Sequence, residues 1–130
     1  MAEIPIISIV DDDESVREAV KNLIRSTGFR AEVFTSAEEF LNSSHLHETA
    51  CLILDVRMPG MNGLELQRRL AASNFAIPII LISAHSDGEA QARALQAGAV
   101  DFLYKPFTED ALLNAIKSSL ATHREDIRHP

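Results

Sequence analysis

Cys51-Leu52-Ile53-Leu54 is a continuous apolar run that stops on an acid, Asp55, and leads within three residues into Met58-Pro59-Gly60-Met61-Asn62-Gly63. An apolar run without polar alternation marks a strand covered on both faces, as strands are in parallel α/β sheets. Proline and two glycines so close together make the following segment a loop. Asp55 is therefore placed at the carboxyl end of a buried strand, facing the crevice where open α/β sheets carry their chemistry. A single acid there can also do no more than cap its loop, so the other strand ends decide what it is for.

Ile4 to Val10 is a β-branched run that stops on Asp11-Asp12-Asp13, a buried strand opening into an acidic loop. Phe29 to Phe34 is a shorter second strand, Ile77 to Ile82 a fourth with Ser83 as its last residue, and Val100 to Tyr104 a fifth that ends at Lys105-Pro106. Pro78 costs little at the start of a strand. Val16, Val20, Leu23 and Ile24 recur at helical spacing, with Gly28 where a C-cap glycine belongs, so the first helix ends near Thr27. Ser36 and Glu39 read as a capping box for a second helix into Phe40-Leu41, and Asn42 to Thr49 reads as polar loop. Asn62 with Glu65 caps a third helix that buries Leu66 and Leu70. Ser86 with Glu89 caps a fourth through Ala90, Ala94 and Ala97 to Gly98, and Thr108 caps a fifth along Leu112, Ile116 and Leu120. Five strands alternating with five helices predict an α/β fold. It is a doubly wound five-stranded parallel sheet with right-handed crossovers, in the flavodoxin-like order 2-1-3-4-5.

The 130 residues, 46% of them hydrophobic, suffice for one domain with a real core, expected over residues 4–122. Residues 123–130 are charged, lack apolar periodicity and read as a frayed tail or the start of a linker. A net charge of −7 argues against direct nucleic-acid binding, which draws on clustered Lys and Arg. Proteins and cations are the expected partners. Cys51 has no second cysteine to pair with, no apolar run approaches the ~20 residues that span a bilayer, and Met1 to Pro5 lacks the features of an export signal. A cytoplasmic protein that does not enter the membrane is expected.

The predicted topology gathers Asp11, Asp12, Asp55, Ser83 and Lys105 at one edge of the sheet. Three carboxylates crowded together raise one another's pKa and need a cation to stay ionised. Mg2+ takes oxygen ligands, keeps several waters and is commonly held by one or two carboxylates plus phosphate oxygens. About three negative charges against about +2 from the metal and +1 from Lys105 leave a near-neutral site that can accept a phosphoryl group. Asp55 is then the nucleophile, carrying the group as an acyl phosphate. Lys105 would offset charge on the transferring oxygens, and Ser83 would hydrogen-bond one of them afterwards.

From Ile6 to Leu120 these motifs resemble the receiver domains of two-component response regulators. The acid pair Asp11-Asp12 after Ile9-Val10, Asp55 followed by Met58-Pro59-Gly60 and Gly63, Ser83-Ala84, and Lys105-Pro106-Phe107 carry the likeness. It implies that Asp55 is the phosphoacceptor, fed by a sensor histidine kinase. It also implies that Asp12, Asp55 and the Arg57 backbone carbonyl ligate Mg2+ directly while Asp11 acts through water. By the same likeness Ser83 is the switch hydroxyl, Phe102 the switch aromatic, and Lys105 the phosphate-contacting lysine, joined to Pro106 by a cis peptide. Such a domain assists its own phosphorylation and dephosphorylation but is otherwise no enzyme. DVRMPGMNGLELQ and GAVDFLYKPF are most similar to receivers that precede a LuxR-type helix-turn-helix domain, so the implied output is transcription through a domain absent from this sequence.

Other residues have plainer readings. Asp13 caps the first helix, His45 and His47 are a solvated pair without a third ligand, and Cys51 is a small buried hydrophobe. His85 can line the crevice mouth or face water, and with Arg57 it falls where this family varies and tunes phosphoryl lifetime. The alternative function is a Mg2+-dependent phosphohydrolase of the haloacid dehalogenase type. Such enzymes carry an acid two residues after the nucleophile, where this chain has Arg57, and a substrate cap for which it has no room. A flavodoxin-like electron carrier would need a phosphate cradle where Asp11-Asp12-Asp13 would repel one. A pseudo-receiver would lack one of the core residues.

The alanines of the fourth helix bury little area each, so this helix and the loop before it are expected to be weakly held. Phosphorylation would then draw Ser83 to the phosphoryl group, let Phe102 rotate inward and reshape the face of the fourth helix and fifth strand. By resemblance that face pairs with a second copy to form a homodimer.

Overall fold

The computed structural model of the chain describes residues 4–84 and 88–128, the last seven by backbone alone. Five strands run β1 (Ile6–Val10), β2 (Arg30–Phe34), β3 (Thr49–Asp55), β4 (Ile79–Ser83) and β5 (Asp101–Tyr104). Five α-helices, α1 (Glu14–Ser26), α2 (Ala37–Leu41), α3 (Gly63–Ala72), α4 (Gly88–Gln96) and α5 (Glu109–Arg128), alternate with them. All pairings are parallel and the order is β2-β1-β3-β4-β5, the doubly wound sheet that the sequence predicts.

The unbroken apolar runs become the three inner strands, in which every residue of β1, β3 and β4 is buried. The edge strands β2 and β5 are only partly covered. Alternation along each strand sends side chains to two cores. Val10, Leu52, Leu54, Leu81 and Phe102 pack toward α2, α3 and α4, whereas Ile9, Cys51, Ile53, Ile80 and Ile82 pack toward α1 and α5. Each fully buried Ile or Leu contributes about 1.5–3 kcal/mol, so these strands are the stiff frame of the molecule.

Asp13 caps α1 as expected, its side chain accepting from Ser15 N and Val16 N, and Gly28 follows the helix at φ +92°. Asn62 and Glu65 form a complete capping box on α3. At α2 the box is displaced: Ser36 accepts from Glu39 N, but the Glu39 carboxylate reaches past it to Thr35 N at 3.0 Å. Asn74, at φ +61°, follows the end of α3, a left-handed stop that asparagine tolerates better than most residues.

Asn42 to Thr49 is more ordered than a polar loop. Leu46–Glu48 forms a 3₁₀ turn, Leu46 is buried, and β3 starts at Thr49. Thr49 Oγ1 donates to His45 O at 2.8 Å, which leaves the Ser8 hydroxyl to donate to Thr49 at 2.7 Å inside the core. His45 is not freely solvated, for it stands 3.9 Å from Glu32 and 3.8 Å from Glu48. His47 packs against Phe75 at a tilt of 49°, with ring centroids 5.1 Å apart. The helix α5 continues to Arg128, past the point where its apolar periodicity fades. His85 and the Ser86 cap lie outside the described residues.

Candidate functional site

Register places the site. Val10 pairs with Leu54, so Asp11 stands level with Asp55 on the neighbouring strand, and Asp55 in turn pairs with Ile82. Ser83 pairs with Tyr104, which puts Lys105 one step beyond the last β5 pair. By alternation Asp11, Asp55 and Lys105 follow the α1/α5 side of the sheet. Ser83 follows the other side, shared with Phe102 and Tyr104.

Asp11 and Asp55 are buried, whereas Asp12 is exposed at the rim. One carboxylate oxygen from each of the three lies within 4.8 Å of the others. Lys105 Nζ bridges the two buried acids, 2.9 Å from Asp11 Oδ2 and 3.4 Å from Asp55 Oδ1. Burial pushes the Asp55 carboxyl up to about 7, Asp11's charge adds to the rise, and Lys105 opposes it. Burial pulls the Lys105 ammonium down, but the hydrogen bond to Asp11 and the charges of Asp11 and Asp55 outweigh it and hold it above its ordinary value. One ammonium thus offsets two buried carboxylates only in part. A donor set made solely of hard oxygens in this arrangement fits a dication such as Mg2+.

Other predicted residues fall around this centre. Ser83 is buried at the end of β4, and its carbonyl accepts from Lys105 N at 2.7 Å. The Lys105–Pro106 peptide is cis. Arg57 is exposed in the loop after β3, beside a hollow of about 400 Å³ that Glu89 and Arg93 also line. Gly63 lets α3 begin directly on the strand end, since a Cβ there would collide with the Asp55 carbonyl oxygen.

Two expectations are corrected. Phe102 is already buried, 4% exposed, inside the core shared with Leu81 and Ala94, so the structure shows the inward position and not an outward one. The helix α4 is anchored by more than small methyls. Buried Gln67 donates to Ala94 O at 3.0 Å, and the Tyr104 hydroxyl donates to Gln91 at 2.6 Å. Ala97 is exposed and lies beyond the helix end, so only Ala90 and Ala94 face the core.

Sequence reasoning missed two contacts to the site loops. Arg17 Nη1 donates to Asp11 O at 2.8 Å and braces the acidic loop from α1. Glu38 accepts from Met61 N at 3.2 Å across 23 residues. Arg17 lies one helical turn after the Asp13 cap, a spacing that points it back at the loop, whereas nothing near Glu38 signals its partner.

The response regulator receiver domain profile matches residues 7–117. The chain is 51% identical over 115 residues to response regulator protein TmoT of Ectopseudomonas mendocina, covering 88% of this chain and 52% of that one. It is 47% identical over 120 residues to nodulation protein W of Bradyrhizobium diazoefficiens, covering 92% and 52%. The chain therefore spans about half the length of these curated relatives. Among solved structures it superposes on response regulator StyR with a TM-score of 0.86 at 47% identity, covering 97% of this chain and 64% of that one. On FixJ-N the TM-score is 0.82 at 36% identity, with 93% and 96% covered.

Proposed function

Because this chain belongs to the response regulator receiver domain family, we propose that it accepts a phosphoryl group from a sensor histidine kinase onto Asp55. The single observation that carries this reading is Asp55 itself, a buried strand-end carboxylate flanked by Asp11 and held to Lys105. Asp55 Oδ would attack phosphorus in line, the bond from phosphorus to the donor imidazole nitrogen would break, and that nitrogen would leave with the electron pair and take up a proton. Mg2+, held by Asp12, Asp55 and the Arg57 carbonyl with Asp11 acting through water, would supply charge neutralisation at the phosphoryl oxygens. Lys105 Nζ would turn from Asp55 Oδ1 to the new group while the same ammonium keeps its contact with Asp11 Oδ2. Ser83 then offers a hydroxyl from the α4 side of the sheet.

The receiver unit is proposed to cover residues 4–122, with 123–130 a tail or the start of a linker, and to work in the cytoplasm. No described helix is long and apolar enough to cross a membrane. Relatives such as FixJ of Azorhizobium caulinodans, 37% identical, are named transcriptional regulatory proteins. Control of transcription through a separate DNA-binding domain, and phosphorylation-dependent homodimers on the α4/β5 face, belong to the same proposal.

Intact-mass spectrometry with acetyl phosphate and Mg2+ tests it. A gain of one phosphoryl group, lost in Asp55→Asn, is expected. Hydrolysis of added phosphate esters without a stable labelled form would instead support the haloacid dehalogenase reading.

A further inference from the structure

The loop between β3 and α3 carries the Arg57 carbonyl, and its two ends are fixed by backbone contacts. Val56 N donates to Ile82 O at 3.0 Å, continuing the ladder, and Gly63 N donates to Val56 O at 2.9 Å. The middle of the loop is held from outside. Gly60 takes φ +75°, and a Cβ there would lie 2.9 Å from Glu38 Oε2, the same oxygen that accepts from Met61 N at 3.2 Å. The Glu38 carboxylate thus packs over Gly60 and takes the next amide proton. Gly60 supplies both the left-handed turn and the space.

Glu38 stands on a firm platform. Ala37 and Phe40 on either side of it are fully buried, Ser36 caps the helix, and Glu39 closes back on Thr35. We propose that Glu38 is a positioning residue for the metal site, clamping the Gly60–Met61 peptide so that the Arg57 carbonyl is presented toward the acids. This inference rests on the Mg2+ reading above. An outer contact that orients a ligand typically governs about 10- to 100-fold in metal affinity. Glu38 is exposed and acts through three intervening residues, so about 3- to 10-fold is expected here.

The experiment is calorimetric titration of the unphosphorylated protein with MgCl2, alongside amide hydrogen exchange at Met61 in the metal-free protein. Glu38→Ala should weaken Mg2+ binding about 3- to 10-fold and speed exchange at Met61. Glu38→Gln retains an acceptor oxygen and should rescue both, which a purely electrostatic attraction of the metal to Glu38 would not allow. Glu38→Ala with unchanged Mg2+ affinity overturns the proposal whatever its Met61 exchange, as does Glu38→Gln behaving like alanine. Wild-type protein that takes up no Mg2+ would overturn the metal reading beneath it. In that case faster Met61 exchange in Glu38→Ala would still establish the clamp on the loop while refuting its role toward a metal.

Discussion

The Tyr104 hydroxyl lies 2.6 Å from Gln91 Oε1 and donates to it, tying the last strand to the middle of α4. With Gln67 bonded to Ala94 O further along, this bond replaces much of what the small side chains of α4 fail to supply. Two buried methyls offer only about 0.8 kcal/mol each, and a neutral hydrogen bond nets about 0.5–1.5 kcal/mol. Tyr104→Phe should therefore raise amide exchange in α4 by about fivefold and leave exchange in β1 and β3 unchanged. An α4 as protected as in the wild type would show that the bond does not hold the helix.

Asp55→Asn should abolish phosphorylation and stabilise the metal-free fold. The amide matches the carboxyl in shape and removes one of two buried like charges that Lys105 only partly offsets. A gain on the order of 2 kcal/mol, a rise in Tm of about 7 °C for a chain of this size, is expected by differential scanning calorimetry. A variant less stable than wild type would mean that the Lys105 contact outweighs the repulsion.

The same carboxyl makes the metal-free protein pH-dependent. Its folded pKa is raised from 3.8 to about 7, so between those values the folded state keeps a proton that the unfolded chain has released. Stability linked to Asp55 is thus greatest at the acid end and falls as pH rises through that window, then levels off. Wild type minus Asp55→Asn in urea melts isolates the slope. Mg2+ should bind more tightly as pH rises through about 7, with proton release, because the ligand has to be ionised.

Gly63→Ala should damage fold and site together. The added Cβ meets the Asp55 backbone rather than a flexible side-chain end, so the start of α3 has to move off the strand carrying the acceptor. A loss on the order of 2–3 kcal/mol is expected, with weaker Mg2+ binding in titration. Wild-type Tm and affinity would show that the helix can shift without cost.

The sheet was legible because its inner strands are unbroken apolar runs, and burial on both faces leaves such a run few alternatives. The site followed from strand ends, since parallel register alone carries Asp11, Asp55, Ser83 and Lys105 to one edge. Local sequence cannot show where a long side chain closes on a distant backbone. The contacts of Glu38 with Met61, Gln67 with Ala94 and Tyr104 with Gln91 span 23, 27 and 13 residues and went unseen for that reason. The inward position of Phe102 was hidden similarly. A strand pattern gives the face a side chain points to, but not whether that face is already filled.

The proposed output follows from Ser83 and Phe102 lying on one side of the sheet against α4. Phe102 already occupies the core on the Ser83 side of the sheet. The proposed route is then a change in how β4 and β5 hold α4, where the Tyr104 hydroxyl meets Gln91. Sedimentation of the free and beryllofluoride-treated protein should show a monomer becoming a dimer, with Ser83→Ala remaining monomeric under both conditions. Tyr104→Phe should shift the monomer–dimer balance without treatment, because it loosens α4 from β5. A dimer that forms equally with and without treatment, or one that forms fully in Ser83→Ala, would remove Ser83 from the link between Asp55 and this face.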